Sequence, residues 1–227
     1  MITRYKSFII KESIIKPEQY GIYKFEWEYG MLNCSQDVDL SYKGLTELPF
    51  VFGEIHGSFN CGHNKLRNMD GMPESVSKDF SCEHNSITHL HGSPSKVGGN
   101  FRCGHNEYST LRGTPNKVGG QFNCEDDHYI DFVGCPTEIV GNFWCGGEYD
   151  GKPIKFNIED YPLSIIHKGF YCGKHQPFYF NEINDLVRKN IQVFLPLIGD
   201  KEKFHQQIME LKPGLIPFYR TIKPLAN

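Results

Sequence analysis

The chain has 227 residues, 39% of them hydrophobic and 22% charged, so it is long enough to bury a core and too apolar to be mostly disordered. Its formal net charge of -3 gives no global support for binding polyanions, which argues against a nucleic-acid partner. No apolar run approaches the roughly 20 residues of a membrane-spanning helix, and the first apolar stretch, Phe8-Ile9-Ile10, is too short for a secretion signal; a cytoplasmic protein is expected.

Residues 1–37 read as an amino-terminal cap. Tyr23-Lys24-Phe25-Glu26-Trp27-Glu28-Tyr29 alternates like a strand, Gly30 ends it, and Leu32 and Cys34 repeat the two-residue phase.

Residues 38–180 carry a repeat. Cys61, Cys82, Cys103, Cys124 and Cys145 are spaced 21 residues apart, and Phe59, Phe80, Phe101, Phe122 and Phe143 precede them by two. Asn64, Asn85, Asn106, Asp127 and Glu148 follow each Cys by three, with apolar residues at plus five and plus eight. Gly71, Gly92, Gly113 and Gly134 come next, then Pro73, Pro94, Pro115 and Pro136, then Val76, Val97, Val118 and Ile139. One unit is F-x-C-x-x-N-x-L-x-x-L-x-G-x-P-x-x-V-x-x-x. The phase extends back through Val38, Leu40, Leu45, Leu48 and Ile55, with Lys43 in the Asn place and Phe52 in the Pro place. Forward, Phe170 and Cys172 restore the pair 27 residues after Cys145, with Ile166 in the Val place, so six extra residues should bulge between Tyr149 and Tyr161.

F-x-C alternates with period two, which puts Phe and Cys on one side of a short strand and the residue between them on the other. A unit this small cannot bury its apolar face alone, but stacked units bury a continuous core. The Asn column is expected to satisfy backbone groups where the chain leaves the strand. Gly and Pro argue against a helix on the return, so irregular, extended returns are expected.

The motif Phe101-x-Cys103-x-x-Asn106-x-Tyr108-x-x-Leu111 resembles the later part of the leucine-rich-repeat consensus, and the cadence with G-x-P and V-G-G resembles repeat proteins encoded by large tailed bacteriophages. The resemblance covers Val38 to Cys172 and implies a leucine-rich-repeat-like solenoid of short parallel strands. It also implies protein binding through the exposed strand face. Lys43, Asp127 and Glu148 depart from the family at the Asn position.

Residues 181–227 read as a carboxyl-terminal helical cap or interaction segment. Phe178-Tyr179-Phe180 is an apolar stretch; Asn181 or Glu182 then opens a helix with Ile183, Leu186, Val187 and Ile191 at helical spacing. Pro196 should break it, and Asp200 should cap a second helix containing Phe204, Ile208 and Leu211.

Three columns invite a chemical reading. The cysteines form a line, whereas a zinc site needs ligands converging on one point, so they read as small buried hydrophobes. Cys135 lies outside the line with nothing beside it to activate a nucleophile. His63, His84 and His105, continued by Asp126, share a solvent-side turn position; surface structure or partner contact, pH sensitivity and metal binding are the readings open for it, in that order. The third column is the varied outer row, where Asn60, Ser81, Arg102, Asn123 and Trp144 lie between Phe and Cys and Gly62, Glu83, Gly104, Glu125 and Gly146 follow Cys. Arg102 and Trp144 are the residue types best suited to anchor an interface. The Gly-Gly pairs lack the phosphate-loop pattern and recur with the repeat.

The expected function is therefore a non-catalytic protein-protein interaction module without cofactor or metal. Its binding residues are Arg102, Trp144, Asn60, Asn123, Glu83, Glu125, His63, His84, His105 and Asp126. The phage resemblance extends this to binding or inhibiting a host protein in the host cytoplasm. The alternatives are an effector enzyme using the repeats to select substrate and a structural, self-associating subunit.

Overall fold

The computed structural model describes residues 15–125, 132–146, 148–149, 152–153, 164–172, 178–198 and 200–211. The repeat winds as a solenoid, each coil contributing one strand to each of two parallel sheets. The Phe sheet contains β3 (Val38–Asp39), β5 (Phe59–Asn60), β7 (Phe80–Ser81), β9 (Phe101–Arg102), β11 (Phe122–Asn123), β13 (Phe143–Cys145) and β17 (Phe170–Cys172), paired in that order. The Val sheet runs through β1 (Phe25–Glu28), β2 (Met31–Cys34), β4 (Phe52–Ile55), β6 (Ser75–Val76), β8 (Lys96–Val97), β10 (Lys117–Val118), β12 (Glu138–Ile139) and β16 (Ile165–Ile166).

Register follows the period. Phe59 pairs with Phe80, Phe80 with Phe101, Phe101 with Phe122 and Phe122 with Phe143, while Val76 pairs with Val97 and Val97 with Val118. The returns are therefore less irregular than the Gly and Pro content suggests. The residues before and at the Val place are extended and ladder-bonded from coil to coil, which adds a second sheet to the single one expected of a leucine-rich repeat. A two-residue strand leaves too short an alternation to be read from sequence.

The core fills the space between the sheets. The Phe rings of the central coils are buried and lie over one another, with centroids 6.1 Å apart from Phe59 to Phe80, 5.0 Å to Phe101 and 5.5 Å to Phe122. Cys61, Cys82, Cys103, Cys124 and Cys145 are buried with them, as are Leu66, Ile87, Tyr108 and the Val column. Tyr108 fits a place otherwise aliphatic because its hydroxyl donates to the Cys103 carbonyl at 3.0 Å.

Two polar columns close the corners. Asn85 Nδ2 donates to the carbonyls of Cys61 and Cys82, and its Oδ1 accepts the Leu66 amide at 3.0 Å. Asn106 does the same one coil on, with Cys82, Cys103 and Ile87. Asn64 serves the first coil, accepting from the Lys43 and Leu45 amides and donating to Leu40 and Cys61. Each amide thus ties its own coil to the preceding one. The second column stands just before each Phe-sheet strand: Asp37, Asp79, Asn100 and Asn142 accept the amides of Ser58, Asn100, Gln121 and Gly169. Coils also approach closely at the V-G-G bend, where a Cβ on Gly119 would strike the Gly98 carbonyl. Farther round the coil, Gly92 and Gly113 adopt φ of 99° and 103°, which a side chain resists.

At the amino-terminal end, β1 and β2 form an antiparallel hairpin turning at Tyr29 and Gly30, whose φ values are 50° and 78°. β2 extends the Val sheet by pairing with β4, so Leu32 and Cys34 keep their alternation on the opposite sheet from the Cys line. At the far end the insertion contains a small hairpin, β14 (Glu148–Tyr149) with β15 (Lys152–Pro153), and β13 regains register with β17 as Phe143 opposite Phe170. The rest of the expected bulge, 150–151 and 154–161, lies outside the described residues, as does Asp127.

The carboxyl-terminal helices are α1 (Phe178–Lys189), α2 (Ile191–Phe194) and α3 (Lys201–Leu211). α1 begins at Phe178, so Phe178-Tyr179-Phe180 is its first turn rather than a separate apolar segment. It ends at Asn190, whose backbone leaves helical geometry at φ -119° and ψ 35°, well before Pro196. Pro196 sits instead in the 3-10 turn Leu195–Leu197, where its missing N–H costs nothing. Asp200 caps α3 by accepting the Lys203 amide at 3.1 Å. Ile183 and Val187 are buried, the helix packs on β16 and β17, and Asn184 and Arg188 donate to the Lys168 and His167 carbonyls. Residues 212–227, including Leu215, Ile216 and Phe218, lie outside the described residues.

Replacing Asn106 by Ala strands the carbonyls of two coils, at a cost of ~2–3 kcal/mol in urea unfolding. Asn106→Asp should cost more, because a carboxylate cannot donate and would face those carbonyl oxygens; equal stability of all three proteins would remove the ladder from the account.

Candidate functional site

The outer row of the Phe sheet brings together four of the residues expected to bind, Asn60, Arg102, Asn123 and Trp144. Register places Asn60, Ser81, Arg102, Asn123 and Trp144 side by side on successive strands, and Asp39 and Tyr171 extend the row at either end. The sheet makes this row from alternation alone, since the flanking Phe and Cys turn inward.

Each member is held in its own way. Asn60 accepts the Gly62 amide at 2.9 Å and Asn123 the Glu125 amide at 3.0 Å, local turns that fix both side chains at the strand end. Ser81 donates to Glu83 and Asn123 to Glu125, both at 3.3 Å, which draws the two carboxylates toward the face. Arg102 Nη1 lies 3.5 Å from Asp79 Oδ2. Asp79 is partly buried, which opposes its ionisation, but bonds from the Asn100 amide and side chain and the charge of Arg102 outweigh that and hold its carboxyl below the usual value.

Trp144 is half-buried rather than solvent-facing. Its ring stacks on Tyr171 at 4.1 Å and 14°, and the space beside it is therefore covered. Tyr171 in turn lies over Gly169, where an added Cβ would meet its ring. Of the residues after Cys, Gly62 and Gly104 are buried and Glu83, Glu125 and Gly146 half-buried, so this second row offers less surface than the sequence suggests.

His63, His84 and His105 stand exposed at the corner beyond this face, with Asn64, Asn85 and Asn106 immediately following them. Their rings stack at 4.2 Å, and Tyr42 stacks on His63 at the same distance. Parallel rings send their nitrogen lone pairs in parallel directions, not toward one point. Among the described residues, no group of three or more His, Cys, Asp or Glu is placed to hold a metal ion. Asp126 lies outside the described residues.

On the Val sheet, Glu138 is held between Lys117 at 2.8 Å and His167 at 3.0 Å. Lys117 foremost, then His167, outweighs partial burial and keeps its carboxyl low.

The sequence reading missed Asp37, Asp79, Asn100 and Asn142, although all directly precede the Phe column at multiples of the period, and it missed Tyr42, one period before His63.

Burial pushes the thiols away from reactivity. Cys34 is raised to about 11 and Cys135 to about 12, while Cys61 and Cys82 are raised further by full burial. Beside Cys135, the Ser164 hydroxyl donates to the Pro136 carbonyl at 2.6 Å and lies 3.2 Å from the sulfur. No helix among the described residues is long and apolar enough to cross a membrane. No family model, curated protein or solved structure matches the chain; what the geometry establishes is a β-solenoid repeat architecture with carboxyl-terminal helices.

The thiol shifts carry a sign. A group raised in the fold keeps its stabilisation below its ordinary value, here 9.0, and loses it as pH climbs toward the folded value. Stability should therefore fall between pH 9 and about 11–12, the range set by Cys34 and Cys135. A thiol reagent should label the Cys column only on global unfolding; rapid labelling of native protein at neutral pH would contradict this.

Proposed function

We propose that the chain is a non-catalytic protein-binding module whose partner docks on the outer face of the Phe sheet. The observation carrying this reading is the contrast across each strand. Phe and Cys repeat on the inner side while Asn60, Ser81, Arg102, Asn123 and Trp144 vary on the outer side in one continuous row. Packing dictates the first set and leaves the second free to be chosen by a partner. Arg102 and Trp144 carry the contact: each is pre-positioned, by Asp79 and Tyr171 respectively, so little side-chain freedom is lost on docking.

Kinship with leucine-rich repeats rests on the F-x-C-x-x-N-x-L-x-x-L segment, and the second sheet is a departure from that pattern. The cadence shared with phage-encoded repeat proteins supports a host protein as the partner, met in the host cytoplasm and inhibited by the complex.

The test is affinity capture from host lysate with wild type, Trp144→Ala, Arg102→Ala and Lys96→Ala, the last lying exposed on the Val sheet. One protein retained by wild type and by Lys96→Ala should be lost at least ~10-fold with Trp144→Ala and weakened with Arg102→Ala. Undiminished capture by both Phe-sheet variants would reject these anchors.

A further inference from the structure

Tyr42, His63, His84 and His105 hold φ values of 56°, 55°, 53° and 54°. Glycine adopts this left-handed region freely, and asparagine and histidine enter it more readily than other side chains, so the corner accepts histidine. What four successive coils add is an aromatic ring at the same place, each stacked on the next. All four are exposed, with centroids 4.2 Å apart at each step and interplanar angles of 9°, 17° and 10°.

We infer that this ladder is a proton-operated device, closed while its imidazoles are neutral and forced open when adjacent rings are charged together. Histidine is the side chain whose charge changes in mild acid. Two unit charges held about 4 Å apart repel by enough, even in water, to shift an equilibrium about five-fold. Three stacked imidazoles make two such pairs. Charged residues border the ladder along each coil: Lys43 follows Tyr42, Lys65 lies just past His63, Glu83 precedes His84, and Glu107 and Glu125 flank His105. Glu125 belongs to the next coil, where its carbonyl accepts the His105 amide, as that of Glu83 accepts the His63 amide. The Glu83 and Glu125 side chains are drawn to the sheet face by Ser81 and Asn123. Because each histidine immediately precedes an asparagine of the corner ladder, repulsion between rings strains the bonds that join coil to coil.

The experiment is urea unfolding at pH 8 and pH 5 for wild type, for the triple variant His63→Asn, His84→Asn, His105→Asn, and for His84→Asn alone, which removes both ring pairs at once. Asp37, Asp79 and Glu138 are held below the usual carboxylate range and stay ionised throughout this window. Acid should raise the wild-type unfolding constant about 25-fold more than that of the triple variant, at low salt and less at 1 M salt. His84→Asn should follow the triple variant. Over the same range, the ring-proton resonances of the three histidines should lose their stacking displacement. The same acid response in wild type and His84→Asn, with unchanged ring resonances, would overturn the inference; it would do so whatever partner the outer face binds.

Discussion

A coil of 21 residues has room for an apolar interior and very little for its own backbone polar groups. Its strands are two to four residues long and belong to different sheets, so they cannot satisfy one another within a coil and each must bond to the coils beside it. Along the strands the ladder does this directly, as where the Cys82 amide meets the Arg102 carbonyl at 2.9 Å. At the corners the backbone turns away, and there the asparagine side chains take over. Asn85 and Asn106 each reach the carbonyls of two coils while accepting an amide of the preceding one. The buried Phe and Cys columns supply the driving force, but hydrophobic burial is non-directional; the corner amides and the sheet ladders fix which residue lies over which.

That fixed register is what makes the surface a set of rows. Residues one period apart become neighbours on the outside as surely as on the inside, so an exposed position becomes a line of side chains. On the Phe sheet the line varies and ends in the Trp144–Tyr171 stack. At the adjoining corner three successive positions are histidine, and their rings and that of Tyr42 lie over one another. The two lines share a border at Glu83 and Glu125, which connects the electrostatics of the corner to the proposed docking face.

Much of this was legible in the residues because a period repeated many times is a strong signal. The buried Cys line, the bridging Asn and the register across the insertion to Phe170 all follow from spacing and alternation. The second sheet was not legible, since Lys96-Val97 or Lys117-Val118 alone has no alternation to distinguish a strand from an extended return. The Asp79 and Asn142 column was present but masked by Ser58, Gln121 and Gly169 at the same position. The stacking of Tyr171 on Trp144 was not legible either, because Tyr171 stands 27 residues away across an insertion and the outer row was not carried forward to it. The start of α1 was misjudged for a different reason: Phe178-Tyr179-Phe180 favours a strand by local preference, yet the helix runs through it.

The stacked coils are held in register by bonds between them, and these can be detected one at a time. Scalar couplings transmitted through hydrogen bonds in solution report donor and acceptor by residue. They should connect the amide of Cys82 to the carbonyl of Arg102 and the amide of Cys103 to that of Asn123. Couplings from these amides to carbonyls at any other offset, or none at all in the folded protein, would contradict the stacked-coil arrangement.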